Sequence, residues 1–392
     1  MLPAPPPPID DKRLDDLLKE EMSAESKRAG QLAVASPLRL MWWRFRKNRM
    51  AVISAIVLAL FYFVALFADF FAPYDPATYD VKLVLSPPKT IYFTDTNGNL
   101  TAPYVYPWTM KTVITNNVPR RVFAEDFANP TPLGFFVRGE PYRFLGLFEM
   151  NVHFFGAQSP TTRIYLMGGD DTGRDLFSRI IFAMRISLTI SLLGVFITML
   201  LGIIIGGISG YYGGWVDNLT QRTIEFLDAI PKIPLWLGLS AAIPPTWPPL
   251  SVFIGIVIIL ALLEWGGTAR TVRSRFLSIR DESFVMAARV AGASERRIIF
   301  RHMLPSFYSH MIASVTLRIP GQILGETSLS FLGLGLKAPL ISFGILLQDA
   351  QSIRSVALAP WLIIPAMFII VLVLAYNYFG DGLRDAADPY AA

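Results

Sequence analysis

Long uninterrupted apolar runs dominate the hydrophobic pattern of this chain. Ala51–Phe71 holds one charge, Asp69, and Ile186–Gly210 holds none. Each is long enough for a helix to cross a hydrocarbon core of about 30 Å. Leu250–Ala269, residues 306–326 and Ser355–Gly380 repeat the pattern. A less clean run, 219–243, carries Arg222, Glu225, Asp228 and Lys232 in its first half. Charges there are costly against lipid, so that face should turn to protein, an interface or a cavity. The pattern predicts six spans in an all-α polytopic membrane protein.

The polar stretches between these runs differ in kind. Residues 1–35 open with a proline-rich segment and read as a flexible cytoplasmic tail with one weak amphipathic helix over 12–22. Residues 36–71 join a basic flank (Arg39, Arg44, Arg46, Lys47, Arg49) with Trp42 and Trp43 to the first span. Basic residues mark the cytoplasmic side and tryptophans suit the interface. Residues 72–168 then lie outside, polar, aromatic and turn-rich. Fragments such as Thr90-Ile91-Tyr92-Phe93 predict short strands, so a small β-rich extracytoplasmic insertion is expected between the first two spans. Residues 169–392 hold the remaining five spans. Within 327–354, Gly333, Gly335, Pro339 and Gly344 break the apolar pattern and suggest a short external helix pair.

Composition narrows the class. Only 17% of the 392 residues are charged and 53% are apolar, which excludes an ordinary soluble enzyme. With no cysteine, disulfides and thiolate metal sites are excluded. Three scattered histidines make no metal set. The net charge of +5 is modest and its basic residues hug the membrane segments, so nucleic acid is a poor partner.

Residues 270–305 concentrate eight arginines: 270, 273, 275, 280, 289, 296, 297 and 301. The positive-inside rule makes this loop cytoplasmic, as does a count of four crossings from a cytoplasmic N-terminus. A helix is expected over Glu282–Ala291. Gly292 is placed to end it in a left-handed conformation, and Ser294 to cap a second short helix. Pro305 sits at the first turn of the next span, where a missing N–H costs little. The small Ala287, Ala288 and Gly292 leave room for another protein.

Ala287-Ala288, three residues, Gly292, and then Leu304-Pro305 at fixed spacing resemble the E-A-A-x3-G-x9-I-x-L-P loop of ABC importer permeases. Two positions depart: Met286 stands where glutamate is usual, and His302 where isoleucine is common. Gly169–Arg179 (GDDTGRDLFSR), Gly210–Asp217, Leu329–Gly335, Ala359-Pro360-Trp361 and Gly380–Asp385 are similar to segments of the dipeptide/oligopeptide C-type permeases. The resemblance covers 36–76 and 168–392.

The resemblance implies the six-span type I importer permease fold. It implies a second, homologous permease as partner, two cytoplasmic P-loop ATPases that use ATP and Mg, and an extracytoplasmic binding protein. No cofactor is expected on this chain, which lacks a G-x4-G-K-[ST] loop. The cell would be bacterial, the membrane its inner one, with both termini cytoplasmic. The ATPase-coupling residues would be Glu282, Val285, Met286, Ala287, Ala288, Arg289, Gly292, Ala293, Leu304 and Pro305. The substrate would be short peptides, with oligosaccharides or a nickel chelate as alternatives.

Arg222, Glu225 and Asp228 are spaced to pair along one face, and Arg318, Gln322 and Glu326 lie four apart on the fifth span. Either row lines a translocation path or gate, or serves as internal pairing. For Gly169–Arg179 the expectation is a short interfacial helix capped by Asp171 or Thr172. Two other classes compete with the importer reading: an ATP-independent carrier, and an enzyme built on the external segment with Asp95, Glu125, Asp126, Glu140, Glu149 and His153. No spacing among those six suggests a catalytic set.

Overall fold

A computed structural model describes residues 37–95, 98–115, 118–159, 162–244, 246–352 and 357–387. The helix expected over 12–22 lies outside them. Helix α1 (Pro37–Phe45) is followed by α2 (Arg49–Leu66), whose N-terminus is capped by the Asn48 side chain, accepting from the Ala51 amide at 3.2 Å. A one-turn helix, Ala68–Phe71, ends the first span. Ile53, Ile56, Leu60 and Phe63 stay exposed along α2, as on a face that meets lipid.

Among the described residues, the segment between the first two apolar helices forms six strands. Strands β1 (Tyr92–Thr94), β2 (Leu100–Val105), β5 (Thr131–Phe144) and β6 (Phe148–Ala157) make an antiparallel sheet in the order β1-β2-β5-β6. Strands β3 (Trp108–Thr115) and β4 (Val118–Glu125) form a separate ribbon. The sheet stands on the membrane helices through aromatic contacts. Phe154 meets Phe71 at 5.1 Å between ring centroids, and Phe155 meets Phe177 at 5.3 Å. A ring nitrogen of His153 lies 2.6 Å from the Ala72 carbonyl oxygen. Buried aromatic area and paired polar groups hold this cysteine-free insertion to the membrane part.

Helix α3 (Leu176–Tyr212) is longer than the apolar run that announced it, because its first turns stand outside the apolar stretch. Gly213, at φ +66°, ends it. Helix α6 (Pro249–Ile279) packs against it along Gly202, Gly206 and Gly210. A Cβ on Gly206 would stand 2.8 Å from the Ala269 Cα, so the two backbones touch at a distance only glycine allows.

The third and fifth spans are not continuous helices, which corrects the sequence expectation. The third consists of α4 (Gly214–Ala229) and α5 (Lys232–Ala241). Pro231 lacks an N–H and disfavours helical geometry at Ile230, which is extended at φ −88°, ψ 128°. After the loop helix α7 (Ser283–Val290), the fifth divides into α8 (Tyr308–Thr316) and α9 (Ile319–Phe331), broken at Leu317-Arg318, with Pro320 in the first turn of the second piece. Among the described residues of 327–354, α9 continues to Phe331 and one further helix, α10 (Phe343–Asp349), follows it. A 3-10 turn, Pro360–Ile363, leads into α11 (Ile364–Ala387), later than the Ser355–Gly380 expected.

Among the described residues, four helices are long and apolar enough to cross a membrane: Arg49–Leu66, Leu176–Tyr212, Pro249–Ile279 and Pro360–Ala387. The main core lies where α2, α3, α9, α10 and α11 meet, around Leu188, Ile323, Phe343 and Leu372.

Candidate functional site

The arginine-rich loop 270–305 is a small packed unit. Helix α7 spans Ser283–Val290, a residue shorter at each end than expected. Glu282 is its N-cap: its backbone is extended, and its carbonyl accepts from the amides of Val285 and Met286, both at 3.0 Å. At the other end Gly292 has φ +74°. The Ala293 amide donates to the Ala288 carbonyl at 3.0 Å, and the Gly292 amide to Arg289 at 2.9 Å. This paired closure satisfies two carbonyls that a helix end otherwise leaves free. Ser294 sits at the next N-cap, but its side chain makes no capping bond, contrary to expectation.

One face of α7 is anchored and the other is displayed. Val285 is completely buried among Phe276, Ile298, Met303 and Leu304, and Ala288 and Ala293 pack against that cluster. Phe284, Met286, Ala287, Arg289 and Val290 are exposed, Val290 at 88%. Pro305 lies in the 3-10 turn Leu304–Phe307 that starts the next span. The loop is tied to the C-terminal end of α3. Arg289 stacks over Tyr211 at 5.5 Å, and the Tyr212 hydroxyl donates to Glu295 at 2.7 Å. Asp217 accepts from the Arg273 guanidinium and from Ser209 Oγ, the latter at 2.6 Å. These partners escape a sequence reading. Gly210–Asp217 stands out as a motif, but its pairing with residues some sixty to eighty positions later does not.

The row in the third span divides. Arg222 donates to Glu225 at 2.6 Å as its spacing suggests, with Arg222 81% exposed. Asp228 instead pairs with Arg270 of α6 at 2.7 Å, and Lys232 with Glu264 at 2.8 Å. Arg222 and Glu225 therefore pair along one helix, while Asp228 and Lys232 bridge to α6.

The second row separates further. The Arg318 guanidinium lies against Gly267, 2.9 Å from where a Cβ would stand. Gln322 is buried opposite Gly194, with no partner for Oε1 among the described residues. Glu326 is fully buried and accepts from Ser330 Oγ at 2.7 Å and Ser187 Oγ at 3.2 Å. Ser187 Oγ in turn accepts from the Phe343 amide at 3.2 Å, so Glu326 joins α3, α9 and the start of α10.

At the other end of α3, Gly169–Arg179 is a folded turn followed by the start of the helix, not a separate capped helix. Asp175 caps α3, accepting from Ser178 N at 2.8 Å and Ser178 Oγ at 2.7 Å. A carboxylate three residues before Ser178 reaches its amide, while Asp171 and Thr172 stand a turn too early. Asp170 accepts from the Thr172 amide at 2.9 Å and from the side chains of Arg174 and Arg179. Arg179 also reaches Asp349 at 3.0 Å. Burial pushes the Asp170 carboxyl up, but Arg179 and Arg174 outweigh it and leave it below the usual range. Burial pushes Asp175 up to about 6. Arg174 and Arg179 thus pair with Asp170 and Asp349, two of the three clustered carboxylates Asp170, Asp171 and Asp349.

Comparison with known proteins places this arrangement. Residues 199–390 match the family model of the binding-protein-dependent transport system inner membrane component, and 36–88 that of the N-terminal TM domain of oligopeptide transport permease C. The oligopeptide transport system permease protein OppC of Haemophilus influenzae is 38% identical over 65% of this chain and 80% of its own length. The dipeptide transport system permease protein DppC of Lactococcus lactis is 31% identical over 90% of both chains. A solved structure of the MetNI methionine ABC transporter, inward facing, is similar over 54% of this chain and 98% of its own, with TM-score 0.43 and 16% identity. The chain belongs to the inner membrane components of binding-protein-dependent ABC transporters, as a non-catalytic permease of the OppC and DppC type with several membrane spans.

Proposed function

We propose that this permease imports short peptides by alternating access, driven through α7 by partner ATPases. The names of its OppC and DppC relatives favour peptides over oligosaccharides or a nickel chelate. In this reading the chain crosses the bacterial inner membrane six times with both termini cytoplasmic. The third and fifth crossings are the broken helices. A second, homologous permease completes the channel, two ATPases bind and hydrolyse ATP with Mg, and an external binding protein delivers the peptide. This chain contributes no cofactor site to the cycle.

The observation that carries the reading is the two-sided packing of α7. A coupling element must be rigidly joined to the spans behind it and free to dock in front. Val285 supplies the first requirement by filling the space between α6 and the start of the fifth span. Phe284, Met286 and Val290 supply the second. With Met286 at the usual glutamate position, docking here rests on apolar area rather than on a carboxylate. A push on α7 is passed to α3 through the Arg289–Tyr211 and Tyr212–Glu295 contacts, and to α6 through Phe276. A rigid-body shift of packed helices follows, which is the way such switches move. In this reading Arg222, Glu225, Asp228, Arg318 and Gln322 belong to the path or its gate, and Glu326 holds the outer loop.

The test is peptide uptake into vesicles holding the whole transporter, with Ala288→Asp in this chain. A charge placed at that half-buried contact should abolish uptake while leaving the chain inserted. Normal uptake by that variant would remove α7 from the coupling path.

A further inference from the structure

A cavity of about 270 Å³ lies at the outer ends of α5 and α6 and under the loop between α9 and α10. Pro244, Trp247, Val252 and Leu340 form apolar walls, and Ser240 and Lys337 supply the polar groups. Ser240 is 95% buried, yet its Oγ has no hydrogen-bond partner among the described residues. Lys337 is exposed and enters no ion pair among them. One helical turn inward from Ser240, Trp236 Nε1 is likewise buried and unpartnered. Trp236 does not line the cavity; buried donors are normally satisfied, so the open Ser240 hydroxyl in the cavity wall is the departure that asks for a ligand.

We propose that this cavity receives the carboxylate end of an incoming peptide at the outer mouth of the permease, an inference that rests on the peptide-import reading above. The chemistry fits one class. A carboxylate takes the Lys337 ammonium and the Ser240 hydroxyl as donors, both common features of anion recognition. The terminal side chain of the peptide lies on Trp247 and the proline and aliphatic walls, which read apolar bulk without demanding one shape. Every peptide has the carboxylate, so the site is tolerant of sequence while favouring a free C-terminus. The volume is at the small end for ligand pockets and suits the end of a short chain.

The lack of cysteine in the sequence makes the test direct. Ala338 lines the cavity and is exposed. Ala338→Cys is introduced into the assembled transporter, with its binding protein, in vesicles whose outer face is accessible. The rate of modification by an impermeant maleimide is measured with alanylphenylalanine or its C-terminal amide present. The dipeptide should slow modification, and the amide should need about tenfold more for the same protection, the usual value of one charge-assisted contact. Lys337→Gln should erase that difference. Uptake of the dipeptide with modification unchanged, or slowed equally by the amide, overturns the proposal and leaves the import reading standing. Protection in the absence of any peptide means that a neighbouring subunit or lipid fills the cavity, and overturns it too. No uptake of any peptide would fall on the import reading itself.

Discussion

The Ala293 amide closes onto the Ala288 carbonyl at 3.0 Å, and only the left-handed backbone at Gly292 lets it do so. A Cβ at Gly292 would meet nothing within 4 Å, so substitution there is opposed by conformation alone. Gly292→Ala should cost about 1–2 kcal/mol at the end of α7. We expect the variant to insert and assemble but to lose uptake relative to ATP hydrolysis. The ratio of peptide moved to ATP hydrolysed measures this, and an unchanged ratio would dissociate the cap from coupling.

Gly206 poses the opposite case, because its obstacle is backbone. A methyl there would collide with the Ala269 backbone, whose Cα stands 2.8 Å away, and helices α3 and α6 would have to part. Gly206→Ala should destabilise the chain by about 1–3 kcal/mol. Thermal unfolding in detergent should show it as a lower midpoint, while Gly238→Ala, with open space around its Cβ, should leave the midpoint near that of the parent.

The turn that precedes α3 predicts a pH response. Asp170 titrates below the usual carboxylate range, so its contribution to stability is present above about pH 4 and is lost as pH falls through its folded value. Asp175 titrates at about 6, so its contribution is full only below the unfolded value of about 4 and is lost as pH rises towards and through 6. The melting temperature should therefore fall between pH 4 and 6 through Asp175. Asp175→Asn keeps a capping side chain and should flatten that fall. A fall of equal size in the variant would assign it to another group.

Glu326 separates anchoring from conduction. Glu326→Ala leaves the Ser187 and Ser330 hydroxyls without their acceptor in a buried site, at a cost of about 1–3 kcal/mol. Glu326→Gln keeps an acceptor and should melt close to the parent, with uptake intact. Loss of uptake in Glu326→Gln at unchanged melting temperature would move this residue from the anchor to the path.

Much of this architecture is legible in the sequence because lipid imposes a simple rule: apolar runs of span length. The arginine-rich loop, the ending of α7 at Gly292 and the strands of the insertion follow from local chemistry. What local chemistry misses is informative. Pro231 and Pro320 lie inside apolar runs, and a hydropathy reading passes over the breaks they accompany. Asp228 could pair along its own helix, but Arg270 of α6 takes it, because tertiary neighbours override spacing. Likewise, the cap of α3 falls to Asp175 rather than Asp171 because the turn held by Asp170 delays the helix. The contacts that hold the loop to α3 join distant positions, and no period in the sequence encodes them.

The central claim is that α7 docks on a partner ATPase and carries its motion. A single Met286→Cys, in a chain with no other cysteine, allows the contact to be trapped by a short bifunctional reagent in the assembled transporter. The account predicts a crosslink to a P-loop ATPase subunit whose yield changes when ATP is bound. A transporter that still moves peptide, with the reagent reacted at Met286→Cys and no ATPase captured in any nucleotide state, would contradict it.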